Sequence, residues 1–252
     1  MKILVVFLLL VLSSRSFALS DKDLDSIGRR VWQNECGGTR DGLTSWNSGE
    51  NFASLGIGHF IWYPKGVNGP FEESFPGLVR FLGANGAKVP AWLQGVCPWS
   101  TRAEFQAAGQ SEKMTELRDL LAATVHVQAR FLAQRMEAAL PKMLAAAPAG
   151  ERAKIKANFE RLAATSAGTF ALIDYVNFKG EGIKDTERCK GQGWGLLQVL
   201  ANMSEGTRTN PASYFSTSAS EMLERRVRNA PPERHEERWL PGWKSRVRSY
   251  AE

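Results

Sequence analysis

Apolar residues recur at helical spacing along nearly all of this chain, and the pattern breaks once, at residues 52–63, an aromatic-rich run interrupted by Gly56 and Gly58. That one interruption restricts the fold to an α+β class, mostly α, with a small β element. Before it, Ser20 and Asp23 mark the start of a helix over residues 20–35. Leu24, Ile27, Val31 and Trp32 share one face, and Gly37-Gly38 stops the helix. Glu35 therefore sits in the last turn. Residues 37–51 form a polar loop, and 52–63 read as a short hairpin or bent strand ended by Pro64. After it come short helices and turns, with Thr101 and Glu104 as a capping box. Residues 111–148 read as helical with a break or kink at Pro141, and 140–150 as an Ala/Pro-rich connection. Helices follow over 151–164 and 167–178, the second much more apolar. Ser218 with Glu221 reads as the cap of a charged helix, and Trp239, Leu240, Trp243 and Val247 mark a closing segment over 238–250.

The first eighteen residues are a separate matter. Lys2 precedes ten apolar residues, and Ser16-Phe17-Ala18 supplies a small-residue cleavage site. Ten apolar residues are half of the ~20 that span a bilayer. The expectation is a signal peptide over 1–18, a mature domain over 19–252 in the periplasm or secreted, and no membrane span after cleavage. With 43% hydrophobic and 23% charged residues, the composition excludes disordered and fibrous classes. The formal charge of +6 falls to +4 when Lys2 and Arg15 leave with residues 1–18, and a modest positive balance suits an anionic partner such as a cell wall. Nucleic acid is not indicated, because basic residues alternate with acids, as in Glu224-Arg225-Arg226. Cys36, Cys97 and Cys189 are an odd set, so at least one is free. Without C-x-x-C or zinc spacing, no metal is expected.

Residues 32–64 carry the clearest chemistry. They place an acid at a helix end, follow it with a polar loop, and return an aromatic strand. This arrangement lines a cleft. Held against Trp32, the Glu35 carboxyl is expected to be desolvated, which raises its pKa and suits it to protonate a glycosidic oxygen. A Glu35–Cys36–His59 metal site and a Cys36–His59 nucleophile pair are weaker alternatives.

Ser54-Leu55-Gly56-Ile57-Gly58-His59 resembles the Thr-Ile-Gly-x-Gly-His strand of phage-type lysozymes, whose catalytic Glu ends the first helix. The run FALIDYVNFKGEG over 170–182 resembles the buried central helix of the lysozyme-like superfamily, and GQGWGLLQVL over 191–200 a segment of lytic transglycosylases. The closing segment is similar to the last helices of phage-type lysozymes. The resemblance implies a two-lobed lysozyme-like fold, with a small lobe over about 20–64 and a helical lobe over 65–252. It implies a monomeric enzyme that cleaves the β-1,4 bond of peptidoglycan glycan strands without a cofactor. Glu35 is then the general acid/base, with Ser54 on the family's active-site Thr and Glu50 as a candidate second acid. Asn47, Trp46, His59, Tyr175, Asn177 and Gln198 are candidate substrate-binding residues, with His59 also tying the strand to the helix. The family's hydrolases carry an Asp between the Glu and the Thr. Here Asp41 lies too near Glu35, Glu50 too near Ser54, and Asn47 is not an acid. That departure makes a single-acid, anhydro-forming reaction attractive, and leaves a non-catalytic glycan-binding module as the alternative.

Overall fold

A computed structural model describes residues 19–204 and 210–252; the expected signal peptide lies outside them. The first helix, α1 (Asp21–Cys36), opens on a complete capping box between Ser20 and Asp23. It ends at Gly37, whose φ of 63° is left-handed, a conformation that costs glycine nothing. Leu24, Ile27 and Val31 are buried, each worth roughly 1.5–3 kcal/mol of transfer free energy.

The aromatic run is a hairpin of β2 (Ala53–Leu55) and β3 (Phe60–Trp62), preceded by β1 (Thr44–Ser45) inside the loop that reads as purely polar. The sheet is antiparallel in the order β1-β2-β3, with Ser45 opposite Ser54 and Leu55 opposite Phe60. Gly56 starts the β2–β3 turn at φ 72°, and a Cβ there would sit 2.5 Å from Gln128 Oε1. That oxygen accepts from the Ile57 amide at 3.0 Å, so the turn is bolted to the helical part of the chain.

Helices α2 (Phe75–Ala84), α3 (Arg102–Ala107), α4 (Glu112–Ala123) and α5 (Val125–Ala146) follow. Thr101 caps α3 as expected, accepting from the Glu104 amide at 3.2 Å. The long helical stretch is divided at Thr124 and not at Pro141, and α5 runs on to Ala146, so that of the residues read as a connection only 147–150 lie outside it. Pro141 is exposed while Ala139 and Met143 on either side are buried, so packing carries the helix past the missing N–H.

Helices α6 (Arg152–Ala163) and α7 (Ser166–Lys179) come next, then a small ribbon of β4 (Arg188–Cys189) and β5 (Gln192–Gly193). The chain ends with α8 (Leu196–Asn202), α9 (Pro211–Asn229) and α10 (Leu240–Arg248). Asn210 caps α9, with Pro211 in its first turn. Ser218 is mid-helix, and its hydroxyl donates to Val199 O of α8 at 2.8 Å. A Ser-x-x-Glu pattern marks a start only where the chain enters a helix.

α7 touches α1, α5, α6, α8 and α9, which explains why its sequence shows no polar face. The fold is thus mostly helical with a small antiparallel sheet, and one apolar cluster runs from Leu24 to Tyr250. Among the described residues, no helix is long and apolar enough to cross a membrane.

Candidate active site

Three elements converge on Glu35. α1 brings the carboxyl in at its last turn, with the side chain 12% exposed. The β2–β3 turn brings His59, whose Nδ1 lies 3.4 Å from Glu35 Oε2. α7 brings Asn177, whose Nδ2 donates to Glu35 Oε1 at 3.1 Å. His59 adopts a left-handed φ of 48°, a conformation that costs a non-glycine residue of order 1 kcal/mol or more. That backbone strain sits in the turn that delivers the imidazole to the acid.

α10 supplies a fourth group. Arg246 Nη2 donates to Glu35 Oε1. The same guanidinium grips Asp174 of α7, with Nε and Nη2 donating to its two oxygens at 2.8 Å each. Asp174 is 0% exposed and also accepts from Tyr250 Oη at 2.5 Å and Asn34 Nδ2 at 3.2 Å. Burial opposes the charge on Arg246, but Asp174 and then Glu35 more than offset this and hold it above its ordinary value. Burial and the neighbouring Asp174 likewise push the Tyr250 phenol well up, so it stays a donor. Asp174 by itself is enough to balance the charge of Arg246, so the buried pair does not depend on Glu35. The Glu35 carboxyl is therefore held by polar partners and not by the apolar wall expected from Trp32. The Trp32 indole donates to Thr39 O instead, at 3.0 Å.

Of the residues singled out in the sequence, Glu35, His59 and Asn177 come together. Trp46 does not belong to a cleft: it is 6% exposed, its ring packs edge-on against Phe105, and its N–H donates to Glu50 O at 2.9 Å. Polar sequence neighbours hide the fact that residues 65–110 fold back over it. Asn47 and Glu50 bond to each other at 3.1 Å, and neither has a hydrogen bond to Glu35. Asp41 is engaged elsewhere, 3.2 Å from Arg118 of α4. Ser54 is buried in the middle strand at 3% exposure. Tyr175 is 0% exposed and donates to Trp194 O at 2.8 Å, so it supports α7 from inside and cannot touch a substrate. Gln198 is also spent on structure: it accepts from the Gly195 amide at 2.9 Å and donates to Gly182 O at 3.0 Å.

Asp174, Arg246, Tyr250 and Asn34 were not singled out. One signal was available: an acid inside the apolar run 170–176 requires a buried partner. The Cys36 thiol is not poised as a nucleophile. All three cysteines are free and buried, and burial beside Glu35 pushes Cys36 up to about 12. Among the described residues no group of three His, Cys, Asp or Glu side chains has the arrangement of a metal site.

In comparisons with known proteins, the chain matches no family model, no curated protein and no solved structure.

Next to this centre, burial, with Arg226 and Arg246 opposing a further cation, pushes the Lys179 amine down to about 6. The nearby Glu236 and Glu35 oppose that shift only in part. The unfolded chain therefore binds more protons than the folded one between about 6 and the ordinary 10.5, and stability rises with pH across that window. Lys179→Met is expected to stabilise the protein near neutral pH by about 1–3 kcal/mol, because Met is buried without the cost of deprotonating an amine on folding. The gain shrinks as the buffer becomes more alkaline. Thermal denaturation of both proteins across a pH series checks this; a pH-independent difference, or a loss, contradicts it.

Proposed function

We propose that this protein is an exported, lysozyme-like enzyme that cleaves the β-1,4 bond between N-acetylmuramic acid and N-acetylglucosamine, with Glu35 as its acid/base. The observation that carries the reading is the meeting of a helix-ending Glu35, His59 of the Gly-x-Gly-His turn and Asn177 of the buried helix on one carboxyl. The same three segments carry the sequence resemblance to phage-type lysozymes and their relatives. The reading includes a two-lobed fold and a signal peptide over 1–18.

The single-acid route is the better supported one, because Asp41 pairs with Arg118 of α4, Glu50 accepts from Asn47 within their loop, and Asp174 is fully buried behind Arg246. Inverting hydrolysis needs a second carboxylate across the sugar from the acid, with room for a water between. In the single-acid route Glu35 protonates the glycosidic oxygen as the bond from the muramyl anomeric carbon breaks. Its carboxylate then accepts the proton of the muramyl 6-hydroxyl as that oxygen closes on the same carbon, giving a 1,6-anhydro end.

A zymogram on purified peptidoglycan tests the activity, and mass spectrometry of the released muropeptides tests the route. Clearing with anhydro ends is expected. Clearing with reducing ends replaces the single-acid route by hydrolysis. Glycan binding without clearing would make the protein a non-catalytic module.

A further inference from the structure

One buried amine beside Glu35 has no part in the chemistry above. Lys179, the last residue of α7, is 8% exposed, yet its amine makes no hydrogen bond or ion pair among the described residues. It lies 3.4 Å from the ring centre of Trp243 and 3.9 Å from that of Phe178. Two arginines use the same rings: Arg226 is 4.8 Å from the Trp243 ring and Arg246 is 4.1 Å from the Phe178 ring. Both arginines are matched. Arg226 is forked onto Glu236 at 2.7 and 2.8 Å, and Arg246 is divided between Asp174 and Glu35. Each acid in the neighbourhood is already committed to one of these arginines, so the lysine is left over. Trp243, only partly buried, is what covers it.

We propose that Lys179 and its Trp243 cover form a carboxylate-binding subsite adjoining Glu35. Resting on the peptidoglycan reading, its ligand is the lactyl or stem-peptide carboxylate carried by the muramyl sugar being cleaved. The chemistry is specific to an anion. A neutral sugar offers the amine only ordinary hydrogen bonds to hydroxyl and amide oxygens, whereas a carboxylate offers it a stronger, charge-assisted one. Because burial and the two arginines hold the amine at about 6, it is uncharged near neutral pH. A carboxylate therefore binds together with one proton from solvent, and the amine becomes an ammonium paired with the incoming anion. Binding of an acidic sugar is proton-linked, and binding of a neutral one is not.

The experiment uses the Glu35→Gln protein, so that ligands survive, and isothermal calorimetry in two buffers of different ionisation enthalpy. The probes are a muramyl-containing oligosaccharide and the same saccharide with its carboxylates converted to amides. The acid is expected to bind about tenfold more tightly, the worth of one charge-assisted hydrogen bond, with uptake of a proton near neutral pH. Lys179→Met removes both the preference and the uptake, and Lys179→Arg keeps the preference without the uptake. Equal binding of acid and amide, or an unchanged preference in Lys179→Met, overturns the subsite while leaving glycan cleavage standing. If neither saccharide binds and the wild type clears no peptidoglycan, the glycan reading fails on its own. Acetate titration of the wild type and Lys179→Met then decides the anion site: Lys179-dependent proton uptake supports it, and none refutes it.

Discussion

Replacing Arg246 with Met is expected to cost about 3–5 kcal/mol of stability, the range for removing one partner of a buried ion pair. At about 2–4 °C per kcal/mol for a chain of this size, the midpoint of thermal unfolding falls by roughly 10 °C. The reason is the position of Asp174. It is 0% exposed in the middle of α7, surrounded by elements from both ends of the chain, and Arg246 is the cation that touches both of its oxygens. Asn34 and Tyr250 also donate to it, but neutral donors do not cancel a buried charge. Methionine keeps much of the packing against Phe178 and removes only the charge and its donors. Combining it with Asp174→Asn is expected to recover at least half of the loss, since the stranded charge goes with it. A single variant that loses less than about 1 kcal/mol, or a double variant no better than the single, means that the pair is not what holds α10 to α7.

The parts of this protein that are legible in its sequence are those fixed by neighbours along the chain. Ser20, Asp23 and Gly37 define α1 because caps and left-handed stops are local, and Glu35 inherits its place from them. The hairpin follows from Gly56 and the aromatic run for the same reason. The rest depends on contacts across long stretches of sequence. Asp174 signals that it needs a cation, but nothing in an α7 window says that the cation is 72 residues away in α10. Many arginines in the chain look alike in sequence. Trp46 was read from its polar neighbours and belongs instead to the Trp99–Phe105 packing, which only the return of residues 65–110 creates. Tyr175 and Gln198 stand in motifs that suggest substrate contact, but both have their polar ends used up by backbone groups. A hydrogen-bonding residue in a promising motif is available to a substrate only if the fold leaves its polar atoms free.

Glu35→Gln is expected to behave in the opposite way to Arg246→Met. Its activity on peptidoglycan falls by at least about 10³-fold, because an amide can neither protonate the leaving oxygen nor accept the hydroxyl proton. Its stability changes by less than about 1 kcal/mol. Gln keeps the length of Glu and an oxygen for Asn177 Nδ2 and Arg246 Nη2, and Arg246 stays charge-matched by Asp174. The two variants separate two jobs proposed for one network: holding the helices for the Arg246–Asp174 pair, and chemistry for the Glu35 end. Dye release from labelled peptidoglycan, measured beside thermal denaturation, tests both halves at once. A folded Glu35→Gln protein that retains more than about a tenth of wild-type activity would remove Glu35 from the mechanism. A Glu35→Gln protein that unfolds like Arg246→Met would show that the carboxylate is structural, and that its meeting with His59 and Asn177 serves packing and not catalysis.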